Sequence, residues 1–150
     1  MAASSFSAQI SAWAAQTQAR MTAVFRTASE DVIADMQKPV DGGGNMPVIT
    51  GFLQSSLQVG TDGPTEATMV NPNPSGTFAA NDAAAALAIA GAEIGDTIWA
   101  TYGAVYAKSV NYGRNGANGR LFVETAAQKW PEIVAAAAVK AQAYVEGGGK

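Results

Sequence analysis

The segment from Gly103 to Ser109 is the part of the chain that comes nearest to a chemical motif. It reads Gly-Ala-Val-Tyr-Ala-Lys-Ser, and its ending resembles that of a phosphate-binding loop. Such a loop needs a glycine directly before the lysine, because its backbone N–H groups must approach the phosphates closely. Here Ala107 precedes Lys108, and the first glycine is one place out of position. The sequence therefore argues against nucleotide binding.

Three carboxylates, Glu30, Asp31 and Asp35, lie close together in the first predicted helix. Asp31 and Asp35 are four residues apart and share a helix face. A metal site needs several oxygen ligands that converge, and no calcium-loop pattern surrounds these residues. We expect a solvated helix face here. No spacing among the remaining acidic residues predicts the paired carboxylates of a glycosidase.

The chain contains no histidine and no cysteine among its 150 residues. Histidine is the commonest general base and metal ligand, and the Ser-His and Cys-His dyads depend on it. Without cysteine, disulfides and thiolate metal sites are excluded. We therefore expect a protein that is not an enzyme and that carries no metal or cofactor.

The charge balance is mildly acidic, with 9 basic and 12 acidic residues and a net charge of −3. The basic residues are scattered, whereas a protein that grips nucleic acid usually concentrates them. A DNA-gripping role is therefore not expected, although a mildly acidic wall would let DNA slide past. Hydrophobic residues make up 48% of the chain, many of them alanine. Alanine buries little area, so we expect a thin core that partner subunits complete.

Two further absences bear on location. No run of about eighteen apolar residues is present, so no membrane span is expected. The N-terminus lacks the basic region and the apolar stretch of a signal peptide. We expect the protein to remain in the cytoplasm in which it is made.

A long helix is predicted over the first ~35 residues, where apolar residues recur at spacings of three and four. Ser4 or Ser5 could cap its start, and Pro39 with Gly42–Gly44 ends it. At about 1.5 Å per residue it is roughly 50 Å long. That exceeds the width of a small domain, so the helix either folds along the body or packs partly on another subunit. The stripe consists of Phe6, Ile10, Trp13, Thr17, Met21, Val24, Ala28, Val32 and Met36.

Strands are predicted in the middle of the chain. Apolar and polar residues alternate from Leu53 to Val59, after a predicted short helical turn at Gly51. A turn at Asp62–Pro64 leads to a return strand at Thr65–Val70, which would complete a hairpin. A further strand is predicted over Asp96–Tyr102, which is rich in β-branched and aromatic residues.

The other elements are helical or looped. Asn81 and Asp82 open a short helix that ends at Ala90, and Tyr106–Tyr112 fits a helical turn or a strand. Arg114–Gly119 is predicted to be a loop tip. The last helix starts near Arg120 and kinks or restarts at Pro131. The expected fold is therefore one α+β domain over residues 1–150, with flexible ends at 1–4 and 147–150.

Three short motifs, in this order after a long N-terminal helix, resemble a family of neck or tail-completion proteins of lambda-like siphophages. The first is Thr50-Gly51-Phe52-Leu53-Gln54-Ser55-Ser56. The second is Tyr106-Ala107-Lys108-Ser109-Val110-Asn111-Tyr112-Gly113, in which Asn111 replaces the family's usual acidic residue. The third is Leu121-Phe122-Val123-Glu124-Thr125-Ala126-Ala127-Gln128-Lys129-Trp130. The likeness covers most of residues 5–145 and is weakest over 71–92.

The resemblance implies a virion protein that forms a homo-oligomeric ring at the head–tail junction. Its partners would be the phage connector or stopper and the tail-terminator or tail-tube proteins, with genomic DNA passing through the lumen. Ring subunits meet through two different surfaces. We expect the long helix and the 113–119 loop to supply them. The predicted interface residues are Trp13, Thr50, Gly51, Leu53, Tyr106, Tyr112, Arg114 and Arg120.

Two alternatives remain open. A tail-terminator ring that caps the tail tube would share the same size and fold class. A soluble binding module without any virion role would instead be a stable monomer. For Arg114 and Arg120, plain solvent exposure competes with a docking contact or a light DNA contact. The tryptophans are more typical of core or interface anchors than of a ligand platform.

Overall fold

A computed structural model describes residues 5–146, and the ends predicted to be flexible, 1–4 and 147–150, lie outside that range. The described chain is α+β, as expected from the sequence. The helices are α1 Phe6–Gln37, a 3₁₀ turn at Val40–Gly42, α2 Phe52–Ser55, α3 Asp82–Ala90, α4 Ala107–Tyr112, α5 Phe122–Gln128 and α6 Trp130–Glu146. The strands are β1 Leu57–Gly60, β2 Trp99–Tyr102, β3 Gly113–Arg114 and β4 Ala117–Asn118.

Helix α1 confirms the longest prediction from the sequence. The Ser5 hydroxyl caps it by accepting a hydrogen bond of 3.2 Å from the Ala8 N–H. The helix contains no glycine or proline, and it ends where Lys38 turns extended before Pro39. Its buried residues are confined to the part from Thr22 onward. The first part of α1 therefore belongs to the helix without belonging to the core.

The strand pairing differs from the predicted hairpin. Strand β1 pairs antiparallel with β2, placing Leu57 opposite Tyr102 and Gly60 opposite Trp99. The expected return strand at Thr65–Val70 forms no ladder and contributes only a bridge between Met69 and Ala104. All of its residues are exposed, so it has no apolar face to bury against a neighbouring strand. The alternation of apolar and polar residues predicted a strand, but it carries no information about which strand pairs with it.

The strand predicted to start at Leu53 begins later in the structure. Residues from Phe52 to Ser55 form α2, so the predicted helical turn is longer and the strand begins only at Leu57. Gly51 enters this turn with a φ of 83°, and the Thr50 hydroxyl accepts a hydrogen bond from the Phe52 N–H. Local hydrogen bonding by Thr50 thus overrides the alternating pattern.

The C-terminal part resolves two ambiguous regions. Tyr106–Tyr112 is helical from Ala107, and the predicted loop that follows is a tight hairpin of β3 and β4. Its turn is formed by Asn115 and Gly116, both with positive φ, as a two-residue hairpin with this twist requires. The predicted restart of the last helix is confirmed, since α5 ends before Lys129 and α6 begins one residue before Pro131.

The core lies between the inner half of α1, the β1–β2 ladder and helices α2, α3 and α5. Tyr102 and Phe122 meet edge to face at 5.1 Å. A buried polar network joins the layers: Gln37 and Gln54 each donate a side-chain hydrogen bond to the other's backbone carbonyl, and the Tyr102 hydroxyl donates to Gln37 Oε1 at 2.7 Å. Burial raises the pKa of Tyr102, and nearby Asp82 adds to the effect.

Candidate assembly surface

The first part of α1 projects from the body of the protein. Every residue from Ser5 to Gln16 is exposed, and we call this stretch the outer segment. Its large apolar residues are Phe6, which is 78% exposed, Ile10 and Trp13, which is 65% exposed. Spacings of four and three place these three side chains on one face of the helix. The outer segment therefore presents an apolar stripe to solvent.

The outer segment is also free of charge. No acidic or basic residue occurs between Ser5 and Ala19. An isolated helix of this length is marginal in water, and an apolar stripe of this kind usually marks an interaction site. The helix of the body nucleates the outer segment, but packing within the chain does not cover its stripe. Contact with another molecule would stabilise it.

A groove lies where the same stripe enters the body. We call it the α1–α6 groove, because these two helices form most of its walls, with the 92–98 segment beside them. Its volume is about 440 Å³. Among its described lining residues, only Arg20 is charged. The lining consists of Thr17, Arg20, Met21, Val24, Phe25, Ala28, Ile94, Trp130 and Val134.

Ion pairs hold the walls of the groove in place. Lys129, between α5 and α6, pairs with Asp35 at 2.9 Å, and Lys140 of α6 pairs with Asp31 at 3.4 Å, so both ion pairs link this part of the chain to α1. Two of the three carboxylates expected on a solvated face are therefore paired across helices. The third, Glu30, is exposed. The described residues include no group of three or more potential metal ligands.

Arg26 fixes the remaining wall. Its Nε donates to the Ala92 carbonyl at 2.7 Å, and its guanidinium pairs with Glu93 at 3.1 Å. Because Ala92 is fully buried and Arg26 reaches it from α1, the segment that carries Ile94 is held beside the helix.

The predicted interface residues fall into separate places. Trp13 lies on the exposed stripe, but Leu53 is only 4% exposed and belongs to the core. Gly51 is buried as well, and a Cβ there would collide with the Phe78 carbonyl oxygen. Thr50 accepts a hydrogen bond from the Phe78 N–H through its own carbonyl. The first motif is therefore corrected from an interface to an internal packing element, because its side chains and backbone are used within the chain.

The second motif lies nearer to the surface. Tyr106 is 37% exposed and rests against Phe52, with ring centroids 6.2 Å apart, and partial burial raises its pKa. Tyr112, Arg114 and Arg120 are exposed around the β3–β4 hairpin. We call the stretch from Ala107 to Arg120 the hairpin lobe. The structure thus brings these three predicted residues together, away from the body's core.

Asn111 holds the hairpin lobe to α5. It is 4% exposed, its Nδ2 donates to Glu124 Oε2 at 2.6 Å, and its Oδ1 accepts from the Val123 N–H at 3.2 Å. It therefore caps the helix that Leu121 leads into with a positive φ. Asn111 stands where the family that the sequence resembles usually has an acidic residue. Here a neutral amide bonds the acidic side chain instead.

Glu124, on α5, takes part in several hydrogen bonds beside the lobe. Partial burial would raise its pKa, but hydrogen bonds from Tyr112, from Asn111 and from its own backbone N–H outweigh burial and lower the pKa. The hydrogen bond to Glu124, together with its negative charge, raises the pKa of Tyr112. Both pKa shifts favour the state in which Glu124 is ionised and Tyr112 is protonated.

The phosphate-loop likeness has a packing explanation. Gly103 is buried between β2 and α4, and a Cβ there would meet the Met69 side chain. Its N–H donates to the Ser56 carbonyl, so it is not free to bind phosphate. Lys108 lies exposed on α4. The segment joins β2 to α4, and its backbone bonds Ser56 and Met69.

Comparison with known proteins adds no relative. No protein-family model matches the chain, and neither a curated protein nor a solved structure matches it.

Two features of the surface escaped the sequence analysis. The α1–α6 groove depends on Ile94, whose neighbours in sequence form no periodic element, so no pattern pointed to it. The Asn115–Gly116 turn carried the usual signal for a two-residue hairpin, which reading the segment as a loop overlooked. Across residues 5–146, no helix has both the length and the apolar character needed to cross a bilayer.

Proposed function

We propose that the protein is a structural virion component of a tailed bacteriophage, forming an oligomeric ring at the head–tail junction. The observation that carries the proposal is the presence of two different apolar surfaces on one chain, the outer segment and the α1–α6 groove. Ring subunits meet head to tail and need two unlike surfaces. The likeness of the three motifs to siphophage neck proteins supplies the virion setting.

The proposed mechanism is assembly rather than catalysis. The ring docks on the connector or stopper, closes the DNA-filled head and offers a platform to the tail-terminator or tail-tube proteins. Genomic DNA passes through the lumen without specific binding, because the mildly acidic chain does not retain phosphates. Location in the virion follows from this role.

The chemistry of the described chain supports a mechanical role. The residues that carry the family likeness are used for packing and capping: Gly51 passes close to Phe78, and Asn111 caps α5. Such residues make a rigid body. A rigid body with a projecting helix suits a ring subunit that contacts a neighbour on each side.

A tail-terminator ring is a close variant, because the same two surfaces would serve a ring that caps the tail tube. A soluble binding module is the candidate from another class. The groove favours it in one respect, since about 440 Å³ falls within the ~300–1,000 Å³ range of ligand sites. That module predicts a protein that is absent from particles.

Electron microscopy of lysates from a phage with this gene interrupted separates the candidates. The neck role predicts filled or emptied heads beside free tails of normal length. Free tails of uncontrolled length would favour the terminator variant. Normal infectious particles would reject a structural role and favour the binding module.

A further inference from the structure

We propose that the outer segment of one copy occupies the α1–α6 groove of the next copy, head to tail around the ring. The inference rests on the proposed function for its setting, and it adds the partner and the contact. The occupant of the groove is thus a second copy of this chain, which presents Phe6, Ile10 and Trp13.

The chain cannot fill its own groove. The outer segment and the groove floor belong to one continuous helix, and that helix has no glycine or proline at which to fold back. At about 1.5 Å per residue, Ile10 lies roughly 20 Å along the axis from Val24 on the floor. The stripe and the groove are therefore available only to different molecules.

The two surfaces match in chemistry. The outer segment carries no charge, and Arg20 is the only charged residue among those described in the groove. Two copies that each carry a net charge of −3 can meet here without placing like charges together. Trp130 and Val134 offer an apolar wall to the incoming aromatic side chains. Arg20 is the one charged side chain that the described lining would offer to a charged partner.

The area of one docking contact is small. Phe6, Ile10 and Trp13 together offer roughly 350 Å² of side-chain surface, since one aromatic residue buries ~150–250 Å². The groove loses a similar area of accessible surface when it is occupied. One docking contact therefore buries about 700 Å² in total, which is less than the ~1,200–2,000 Å² of a stable interface. A ring subunit makes this contact twice, once with the neighbour on each side, so that its own stripe and its own groove are both covered.

The small contact area has a consequence for the free protein. One weak contact leaves most copies monomeric in dilute solution. A template that holds neighbours together raises their effective concentration and closes the ring. The docking contact is thus suited to assembly on a preformed connector.

The absence of cysteine makes a cross-linking test clean. Two single variants are prepared, Ala14→Cys at the edge of the stripe and Val134→Cys in the groove, and they are mixed with a short bis-maleimide over rising concentration. The expected product is the mixed dimer, with little product from either variant alone. Leu87→Cys is the matched control, because Leu87 is 77% exposed on α3 and does not line the groove.

Three further results decide the inference. Adding Ile10→Asp to the Ala14→Cys chain should lower the mixed product about tenfold or more, since it places a charge in the apolar contact. The double variant Ala14→Cys/Val134→Cys should give a ladder beyond the dimer, and a product that stops at the dimer would refute head-to-tail docking. Mixed product no greater than that with Leu87→Cys at every concentration, or Ala14→Cys linking to itself, would overturn it.

The cross-linking test and the gene-interruption test can fail independently of each other. Separate heads and tails after gene interruption, without the mixed dimer, would mean that the neck role holds and this contact is wrong. The mixed dimer from purified protein, with normal particles after interruption, would mean that the contact holds without the neck role.

Discussion

Asn111 Nδ2 lies 2.6 Å from Glu124 Oε2 and links helix α4 to helix α5 through a charge-assisted hydrogen bond. The bond spans the β3–β4 hairpin, which leaves the body and returns to it between these two residues. Asn111 is buried, whereas Arg114 and Arg120 on the same lobe are exposed. The asparagine therefore sets the orientation of a lobe whose outer side chains face solvent.

Replacing Asn111 with aspartate should destabilise the protein by about 2 kcal/mol or more, because a donor is lost and two carboxylates are forced together. Urea unfolding followed by circular dichroism measures the change. The double variant Asn111→Asp/Glu124→Gln should recover part of the loss, since one carboxylate is removed and a donor restored. Equal stability of Asn111→Asp and the parent would contradict the role given to this bond.

The Glu124–Tyr112 pair should contribute to stability at neutral pH, and this contribution should be lost at both acid and alkaline pH. The pKa of Glu124 is lowered by its hydrogen bonds, so its contribution is present above the unfolded pKa of ~4.3 and is lost as pH falls through the folded pKa. The pKa of Tyr112 is raised, so its contribution is present below ~10 and is lost as pH rises through the folded pKa.

Denaturant midpoints from pH 2 to 11 check this expectation. Tyr112→Phe should flatten the alkaline decline, and Glu124→Gln should flatten the acid decline. Glu66→Gln is a suitable control, because Glu66 lies on an exposed segment and takes part in no described ion pair. Parallel curves for all three variants and the parent would contradict the pairing.

Removing the exposed and the buried aromatic side chains should separate assembly from folding. Phe122 is 2% exposed, so Phe122→Ala should cost about 3–5 kcal/mol of stability. Trp13 is 65% exposed, so Trp13→Ala should change the stability of the monomer by no more than about 0.5 kcal/mol. Trp13→Ala should nevertheless weaken self-association in sedimentation at high concentration. A large loss of monomer stability in Trp13→Ala would show that the stripe is already covered within the chain.

Gly51 should tolerate no side chain. Its φ of 83° disfavours other residues, and a Cβ would collide with the Phe78 carbonyl, so Gly51→Ala should cost about 2 kcal/mol or more. Gly60→Ala is the matched control, because no atom lies within 4 Å of its added Cβ. Thermal unfolding of both variants gives the comparison, and similar melting temperatures would refute the packing role of the first motif.

The sequence predicted those elements whose signals are local. Helix α1 has an unbroken stripe and a serine cap, and α3 has its asparagine and a terminal glycine, so both were placed closely. The α5–α6 restart followed from Pro131. The pairing of β1 with β2 was missed because it joins residues about forty positions apart, and alternation carries no information about the partner.

The candidate surface was predicted only in part. Trp13 was named from its helical spacing, but the same spacing continues to Val24, which is half-buried in the α1–α6 groove, and to Ala28, which is fully buried. Periodicity cannot tell where along a helix the covering element stops. Leu53 was named from its motif and proved to be core, because a short motif does not indicate which way its side chains face.

Complementation of the interrupted gene tests the central claim most directly. Lysates would be imaged after expression of the parent protein, of Ile10→Asp, or of Leu87→Asp. Leu87 is 77% exposed, against 50% for Ile10, and it lies outside both apolar surfaces. We predict joined particles with the parent and with Leu87→Asp, and separate heads and tails with Ile10→Asp. Joined particles in the interrupted phage without any complementing protein would contradict the proposed place of this chain at the head–tail junction.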